Sequence, residues 1–581
     1  MADQAVRIGT GPAGESYLRM DRILEAARQT RAEAVHPGYG FLSENPDFAQ
    51  ACLDAGLAWV GPSPEAMRRL GDKARAKALA EQVGVPVLPG YHGEQQTADA
   101  LAQQAEQIGY PVLIKASAGG GGRGMRVVEG AATFQQALEA AQREALASFG
   151  DGRVLLERYL TRPRHVEVQV LGDRFGTLVH LGERECSIQR RYQKLIEESP
   201  SPAVDAQLRA TMGEAAVRLA RAASYTNAGT VEFLLDATTR HFFFLEVNAR
   251  LQVEHPVTEL LTGLDLVEQQ LRVAAGEPLE FEVRLDGHAI EARVIAEDAE
   301  FLPSTGRLRA FATPRGLRVD AGVVEGSEVS PYYDSLLAKV IAHAPARAEA
   351  IRALSRGLAE FDIQGVESNL DLLLATIQSP AFVAGDLHTG FLTEHAPSTE
   401  PPPEALAAAA VGRARRAWRL GRLDQPVRLQ PGGEVCVTQD LGDAHSFRVR
   451  AGSGEVLAEL LGDGRARVNG ESARVGPGWV EWRDHLYRIR PAPPLDIEDF
   501  AHAAAAAGGG GLTAPMPGRV VKVAVAPGDQ VSPNQPLVVL EAMKMEHVVE
   551  APHAGLVSQV CVHPGQQVRA GELLLELGAL E

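Results

Sequence analysis

The chain has 581 residues, 45% of them hydrophobic and 23% charged, a size and balance that call for several soluble globular domains. A formal charge of −18 disfavours nucleic acid or an anionic membrane as the main partner, although a local cluster of Arg and Lys can still hold an anionic substrate. Cys52, Cys186, Cys436 and Cys561 are scattered without metal-ligand spacing, no apolar run is long enough to span a bilayer, and nothing at the N-terminus resembles a signal peptide; a cytoplasmic protein with reduced thiols is expected.

From residue 1 to about 400, helical patterns alternate with short apolar strands such as Ala58-Trp59-Val60-Gly61, Pro111-Val112-Leu113-Ile114 and Val154-Leu155-Leu156. That alternation predicts α/β architecture. Lys115 closes the second of these strands, and Gly119-Gly120-Gly121-Gly122-Arg123-Gly124 follows. Glycines let backbone N–H groups approach phosphate oxygens, and a neighbouring lysine neutralises them. No Gly-Lys-Ser/Thr follows, so this is not the Walker pattern; lysine ahead of the glycines suggests a lid that folds over a nucleotide.

Further along, Gly229-Thr230-Val231-Glu232-Phe233-Leu234 is joined by a short polar turn to the run from Leu245 to His255. Every even position from Glu246 to Glu254 is polar and every odd one apolar, so Glu246, Asn248, Arg250, Gln252 and Glu254 share one face if the chain stays extended. Glu246 and Asn248 can offer hard oxygens to a divalent cation, Arg250 can bind an oxyanion, and Gln252 and Glu254 can orient or deprotonate it. A solvent-facing strand edge would alternate in the same way. A hairpin would bring Glu232 beside Glu246, and two close carboxylates need a cation between them, for which magnesium bridging ATP phosphates is suited.

A break at Pro401-Pro402-Pro403 is followed by an Ala- and Arg-rich helical stretch through Arg419, then by strands from about 426 to 490, which predicts a small β-barrel preceded by one helix. Ala503 to Gly511 reads as a flexible Ala/Gly linker. Beyond it the chain repeats itself: Ala514-Pro515, Gly518, Val520, Val523, Val525, Pro527-Gly528 and Val531 recur 37 residues later (551 − 514) as Ala551-Pro552, Gly555, Val557, Val560, Val562, Pro564-Gly565 and Val568. Two copies of one β motif predict a quasi-symmetric flattened barrel, with Lys544 of Ala542-Met543-Lys544-Met545 at a hairpin where a modifying enzyme can reach it.

This last segment resembles the biotin carboxyl carrier domain of biotin-dependent carboxylases, whose biotinylated lysine sits in A-M-K-M; lipoyl carriers place Asp before the lysine. Residues 1 to about 395 resemble the biotin carboxylase component of the same enzymes, an ATP-grasp ligase. The matching motifs are H-P-G-Y-G-F-L-S-E-N at 36 to 45, G-D-K at 71 to 73, I-K-A-S-A-G-G-G-G-R-G-M at 114 to 125, P-R-H-V-E at 163 to 167, R-E-C-S-I-Q-R-R at 184 to 191 and N-A-R-L-Q-V-E-H-P-V-T-E at 248 to 259.

The resemblance implies a role for each matching position. Lys73, Lys115, Gly120, Gly121 and Gly122 would contact ATP phosphates, and Glu157, Leu160, His165 and Gln189 would hold adenosine. Glu232, Glu246 and Asn248 would bind magnesium or manganese. Lys194, Arg250, Gln252, Val253 and Glu254 would hold bicarbonate, with Glu254 as its base; Arg318 would contact biotin and carboxyphosphate, and Arg250 would stabilise the biotin enolate. Spacing alone gives His165, His255 and Cys186 no chemistry. The implied layout is a biotin carboxylase N-terminal subdomain over 1–86, a lid over 87–160, the ATP-grasp and C-terminal subdomain over 161–398, a helix plus β-barrel docking domain over 403–495, a linker over 500–511 and an all-β carrier over 512–581.

Against that family the chain departs at its start, because Met1 falls inside the first domain, downstream of a strand and Gly-containing turn. The N-terminal Rossmann-like subdomain is therefore expected to be incomplete, with unpaired backbone groups and exposed apolar side chains. No carboxyltransferase domain follows the carrier, so carboxybiotin formed on Lys544 would pass to a separate carboxyltransferase β subunit in a hetero-oligomer, and a biotin protein ligase would attach the biotin. The organisation is most like the 3-methylcrotonyl-CoA type. Propionyl-, acetyl- and geranyl-CoA remain open, as do another ATP-grasp ligase and an inactive scaffold that only presents biotin.

Overall fold

The computed structural model describes residues 2–91, 93–116, 125–149, 151–190, 193–417, 424–430, 433–439, 446–451, 454–462, 464–491, 511–543 and 545–578. By contact the chain divides into two units, Met1–Ala292 with Ile341–Ile351 and Pro380–Ala396, and Arg293–Val340 with Arg352–Ser379 and Pro397–Glu581. Gly119 to Gly124, Lys544 and most of the Ala/Gly linker lie outside the described residues.

The first unit is built on an antiparallel sheet in which Phe242–Asn248, Asn227–Leu235, Arg164–Gly172, Leu178–Arg190 and Gln193–Ser199 are successive neighbours. Period-two alternation gives the sheet two different faces. Val166, Val168, Val170, Val231, Phe233 and Leu235 belong to an apolar core that includes Leu208, Met212, Ala215, Ala216 and Leu219 of the helix Ala206–Ala222. Asp205 caps that helix by accepting from the Leu208 N–H. The intervening positions His165, Glu167, Gln169, Thr230 and Glu232 are polar yet buried. Burial without an apolar side chain calls for internal partners, and the site described below supplies them.

A second sheet orders Gly90–Tyr91, Val154–Arg158, Val112–Ala116 and Arg126–Val128. Its inward residues Val112, Ile114, Val154 and Leu156 pack on Leu101, Ala105, Phe134 and Leu138 from two helices. The predicted strand at 111 to 114 runs to Ala116, so Lys115 lies within it rather than after it. Near the N-terminus Ala34–Val35 pairs in parallel with Ala58–Trp59, and Val6, Leu18, Tyr39 and Phe41 are exposed.

In the second unit, Arg318–Ala321 lies beside Leu336–Ala344. Among the described residues the predicted barrel is an eight-stranded antiparallel meander from Asp424 to Arg488, and a ninth strand, Arg490–Pro491, returns to pair with the first, Asp424–Gln430. Its core holds the helix Pro403–Ala417: Ala405, Ala407, Ala408, Ala409 and Ala410 are all buried against Val435, Val437, Val449, Ala458 and Val480. The run Ala405 to Val411 is apolar on every side and needs cover all round, and small alanines let the strands close in. Gln378 donates to the Leu486 carbonyl at 3.0 Å and accepts from its N–H at 2.8 Å, while Arg490 reaches the Phe361 and Ile363 carbonyls, so the meander is stapled to the segment 361–378.

Among the described residues the C-terminal repeat, expected to be the carrier, consists of two four-stranded sheets. Gly518–Val523 and Gly555–Val560 share one burial pattern, and Gln530–Val531 and Gln567–Val568 share another, so the 37-residue displacement in sequence (555 − 518) is also a structural repeat. Pro536–Ala542 pairs with Met545–Glu550, with Ala542 opposite Met545. Met543 takes φ 48°, the left-handed turn conformation.

Candidate functional site

The hairpin of the first unit forms in the expected register. Glu232 stands opposite Glu246 and Thr230 opposite Asn248, and the Asp236 carboxylate nucleates the turn by accepting from the Thr238 and Thr239 N–H groups. The extended run does not continue to Glu254. The strand ends at Asn248, and residues 250 to 254 turn into the helix His255–Thr262, so the alternation places residues on a common face only as far as Asn248. Side-chain hydrogen bonds gather the remainder.

Arg250 donates from Nη2 to Asn248 Oδ1 at 3.0 Å and from Nη1 to Gln252 Oε1 at 2.9 Å, while its Nε lies 3.1 Å from Glu44 Oε2. Gln252 and Asn248 in turn donate to Glu232 Oε1 at 3.3 and 2.8 Å. The guanidinium is thus fixed by a ring of acceptors while its side chain stays 18% exposed, open enough to receive an anion. Val253 is half-buried within the same turn.

At the centre is Lys194. Its Nζ lies 2.5 Å from Glu167 Oε2, 3.0 Å from Glu232 Oε1 and 2.7 Å from Glu254 Oε1. Burial would pull the ammonium down, but Glu167, Glu232 and Glu254 outweigh it and hold its pKa well above the usual lysine value. Burial likewise pushes the Glu232 carboxyl up; Lys194, then His165 at 2.9 Å, reverse that and leave it below the usual carboxylate range. Beneath them Arg184, wholly buried, donates to Glu167 at 2.5 Å, to Gln169 at 2.8 Å, and to Thr258 and Thr230 at 2.9 and 3.2 Å. Lys194 and Arg184 thus face the carboxylates Glu167, Glu232 and Glu254, while Arg250 has Glu44 as its acidic partner, so each of these buried charges has an opposite one beside it.

A second cluster centres on Glu157, which is ion-paired with both Lys115 and Lys77. Burial raises its carboxyl, but Lys115 and then Lys77 lower it to about 2. Lys73 lies 2.9 Å from Glu246 Oε2. Leu160 is half-buried just beyond the strand that carries Glu157, and Gln189 pairs in register with Lys194 across a strand hairpin. Gly120, Gly121, Gly122 and Lys544 lie outside the described residues.

Glu232, Glu246 and Asn248 present hard oxygen donors on adjacent strands; Lys194 and the His165 imidazole meet Glu232, and Lys73 meets Glu246. That donor set fits magnesium or manganese, whose charge would meet the same carboxylates. In the second unit, Arg318 makes a two-pronged contact with Asp320, both bonds 3.0 Å, with buried Lys339 at 3.4 Å. In the same unit the Met543 N–H donates to the Pro331 carbonyl at 3.0 Å.

Sequence reading did not single out Lys77, Glu167, Arg184 or Glu44. Glu167, Arg184 and Glu44 sit inside motifs quoted above, but a motif does not say which member is a partner and which a ligand. Lys77 carries only a weak signal, one helical turn beyond Lys73.

Family models match over most of the chain: biotin carboxylase N-terminal domain over residues 1–67, carbamoyl-phosphate synthase L chain ATP-binding domain over 72–282, biotin carboxylase C-terminal domain over 291–394 and biotin-requiring enzyme over 511–577. The mitochondrial methylcrotonoyl-CoA carboxylase subunit alpha of Dictyostelium discoideum is 42% identical across 95% of this chain and 86% of that one. The propionyl-CoA carboxylase alpha chain of Ruegeria pomeroyi is also 42% identical, across 95% and 90%. Among solved structures, the Campylobacter jejuni biotin carboxylase in complex with a β,γ-ATP ligand aligns with TM-score 0.64 and 43% identity over 68% of this chain and 89% of that one. The biotin carboxylase domain of Hydrogenobacter thermophilus 2-oxoglutarate carboxylase, solved with MgADP, ADP and bicarbonate, aligns with TM-score 0.65 and 42% identity over 69% and 90%. Taken with the buried lysine–carboxylate cluster and the duplicated carrier, these matches show that the chain belongs to the biotin-dependent acyl-CoA carboxylases, as an alpha subunit uniting a biotin carboxylase with a biotinyl carrier domain.

Proposed function

We propose that the Lys194 cluster binds and activates bicarbonate, that the Glu157 and Glu246 lysines receive ATP, and that the carboxyl group leaves on biotin carried by Lys544. The observation that carries this reading is the Lys194 ammonium held within 3.0 Å of Glu167, Glu232 and Glu254 while Arg250 is fixed beside them by Asn248 and Gln252. Bicarbonate set against Arg250 would meet a carboxylate, Glu254, whose own charge is neutralised by Lys194 at 2.7 Å. Glu254 takes the proton and the freed oxyanion attacks the γ-phosphate, breaking its bond to ADP and giving carboxyphosphate, which falls apart to CO2 and phosphate; the phosphate would take the proton of the biotin ureido nitrogen, that nitrogen would take up the CO2, and Arg250 would hold the charge of the biotin enolate. Lys73, Lys77 and Lys115 exchange their carboxylates for phosphate oxygens and neutralise the leaving ADP. Glu232, Glu246 and Asn248 would hold magnesium or manganese, which supplies further neutralisation at the phosphates. Glu157, Leu160, His165 and Gln189 are the proposed adenosine contacts, and Arg318 the contact to biotin.

An alpha subunit implies a carboxyltransferase beta partner, and we assign 3-methylcrotonyl-CoA as the acyl substrate of the assembly. Relatives named methylcrotonoyl-CoA carboxylase support that choice; a propionyl-CoA carboxylase alpha chain of equal identity makes propionyl-CoA the second reading. ADP release by the purified chain with ATP, magnesium and bicarbonate is expected to rise on adding free biotin. ADP release indifferent to biotin would sink the carboxylase assignment, and transfer to propionyl-CoA but not 3-methylcrotonyl-CoA, assayed with the partner subunit, would overturn the substrate.

A further inference from the structure

A residue at the tip of an exposed hairpin is ordinarily wet. Met543, at the tip formed by Pro536–Ala542 and Met545–Glu550, is only 4% exposed. It takes φ 48°, a conformation few non-glycine residues adopt without local compensation. Its N–H is spent outside the carrier, on the Pro331 carbonyl at 3.0 Å. A second contact is independent of the first: Leu302 packs against the carrier's own apolar core, alongside Leu512 and Val523. Both receiving residues belong to the part of the second unit that carries Arg318, and the Pro331 loop runs directly into the strand Leu336–Ala344 beside Arg318–Ala321.

Leu302 is presented by a turn built for rigidity. Asp298 Oδ1 accepts from the Leu302 N–H at 2.8 Å, the Asp298 N–H donates to the Leu302 carbonyl at 3.0 Å, and Phe301 is held at φ 66° between them. A side chain fixed in this way loses little freedom when a surface closes over it, and preorganisation of that kind favours binding. The occupant is in the same chain, so its effective concentration is set by a tether and a small apolar contact suffices to bias its position.

Resting on the carboxylase reading above, we propose that Leu302 and the Pro331 carbonyl form the seat that receives the carrier hairpin, a positioning device that makes biotin on this chain a better substrate than free biotin. Leu302 touches the carrier rather than any reacting atom. Its loss should therefore slow delivery of the tethered group and leave chemistry on free biotin intact.

The test uses the full biotinylated chain. One measurement is single-turnover transfer of label from radioactive bicarbonate to protein-bound biotin; the other is ADP release driven by free biotin. Leu302→Asp is expected to slow protein labelling on the order of a hundredfold and Leu302→Ala about tenfold, while free-biotin turnover stays within about twofold of the parent. Leu302→Met, close in volume, should label nearly as fast as the parent. Parental labelling in Leu302→Asp, or a parallel fall of both rates that Leu302→Ala shares, overturns the seat. A parent chain inactive with free biotin refutes the carboxylase reading instead.

Discussion

The lysine–carboxylate cluster and the carrier domain handle charge in opposite ways. In the first, Glu167, Arg184 and Glu254 are fully buried; Glu167 is paired with both Arg184 and Lys194, Glu254 with Lys194, and Arg184 also donates to Gln169, Thr230 and Thr258. In the second, the core is Ala, Met, Val and Leu, from Ala514 and Met516 to Leu575 and Leu577. Buried ion pairs recover their desolvation cost only when geometry and additional hydrogen bonds are excellent, and replacement by apolar residues is often no worse for stability. On the proposed function the charges of the first unit are placed for chemistry on bicarbonate, whereas the carrier delegates its chemistry to an attached group and needs only a stable barrel to hold it.

The sharpest way to break that contrast is to remove one buried partner. Arg184→Met leaves Glu167 with Lys194 as its one remaining cation and takes the donor from Gln169, Thr230 and Thr258, and is expected to destabilise the first unit by about 3–5 kcal/mol, read as an earlier denaturant midpoint for that unit with the carrier transition unmoved. Arg250→Ala leaves the buried charges of Lys194 in place and acts on the reaction: bicarbonate-dependent ADP release should fall roughly 10²- to 10³-fold with little change in melting temperature, and unchanged turnover would dissociate Arg250 from the chemistry.

Acid offers a third probe. Glu157 is lowered from 4.5 to about 2, so its contribution to stability is complete above pH 4.5 and fades as pH falls towards 2. The contribution is on the order of 3 kcal/mol at neutral pH. Glu157→Gln should accordingly melt earlier than the parent at pH 7, with the gap closing as pH falls from 4.5 towards about 2; a gap independent of pH would show that packing rather than ionisation is responsible. In the carrier the smallest effect is expected: Val520→Ala in its apolar core should cost about 2 kcal/mol by thermal melting, without the pH dependence seen for Glu157.

Much of this molecule was legible in the chain as written. The repeat of Val and Pro-Gly positions specifies the carrier because each side chain's place in a strand is decided by its neighbours two positions away. The Glu232–Glu246 pairing is similarly local, set by a short turn that Asp236 closes on itself. Motifs identified the family and contain many of the residues that the structure gathers around Lys194 and Glu157. They did not reveal that residues 250 to 254 turn away from the strand, because alternation of polar and apolar residues describes an extended chain and a turn equally well until the helix that follows has packed.

Tertiary structure alone decided who neutralises whom. Lys77 and Glu157 are separated by 80 positions, Arg184 and Thr258 by 74, and no periodicity links residues so far apart. The same is true of Met543 and Pro331, which meet in the second unit although 212 positions apart (543 − 331). Short-range pattern determines which face a side chain takes; which charge or surface it meets there depends on how distant segments pack, and burial makes that choice costly to change.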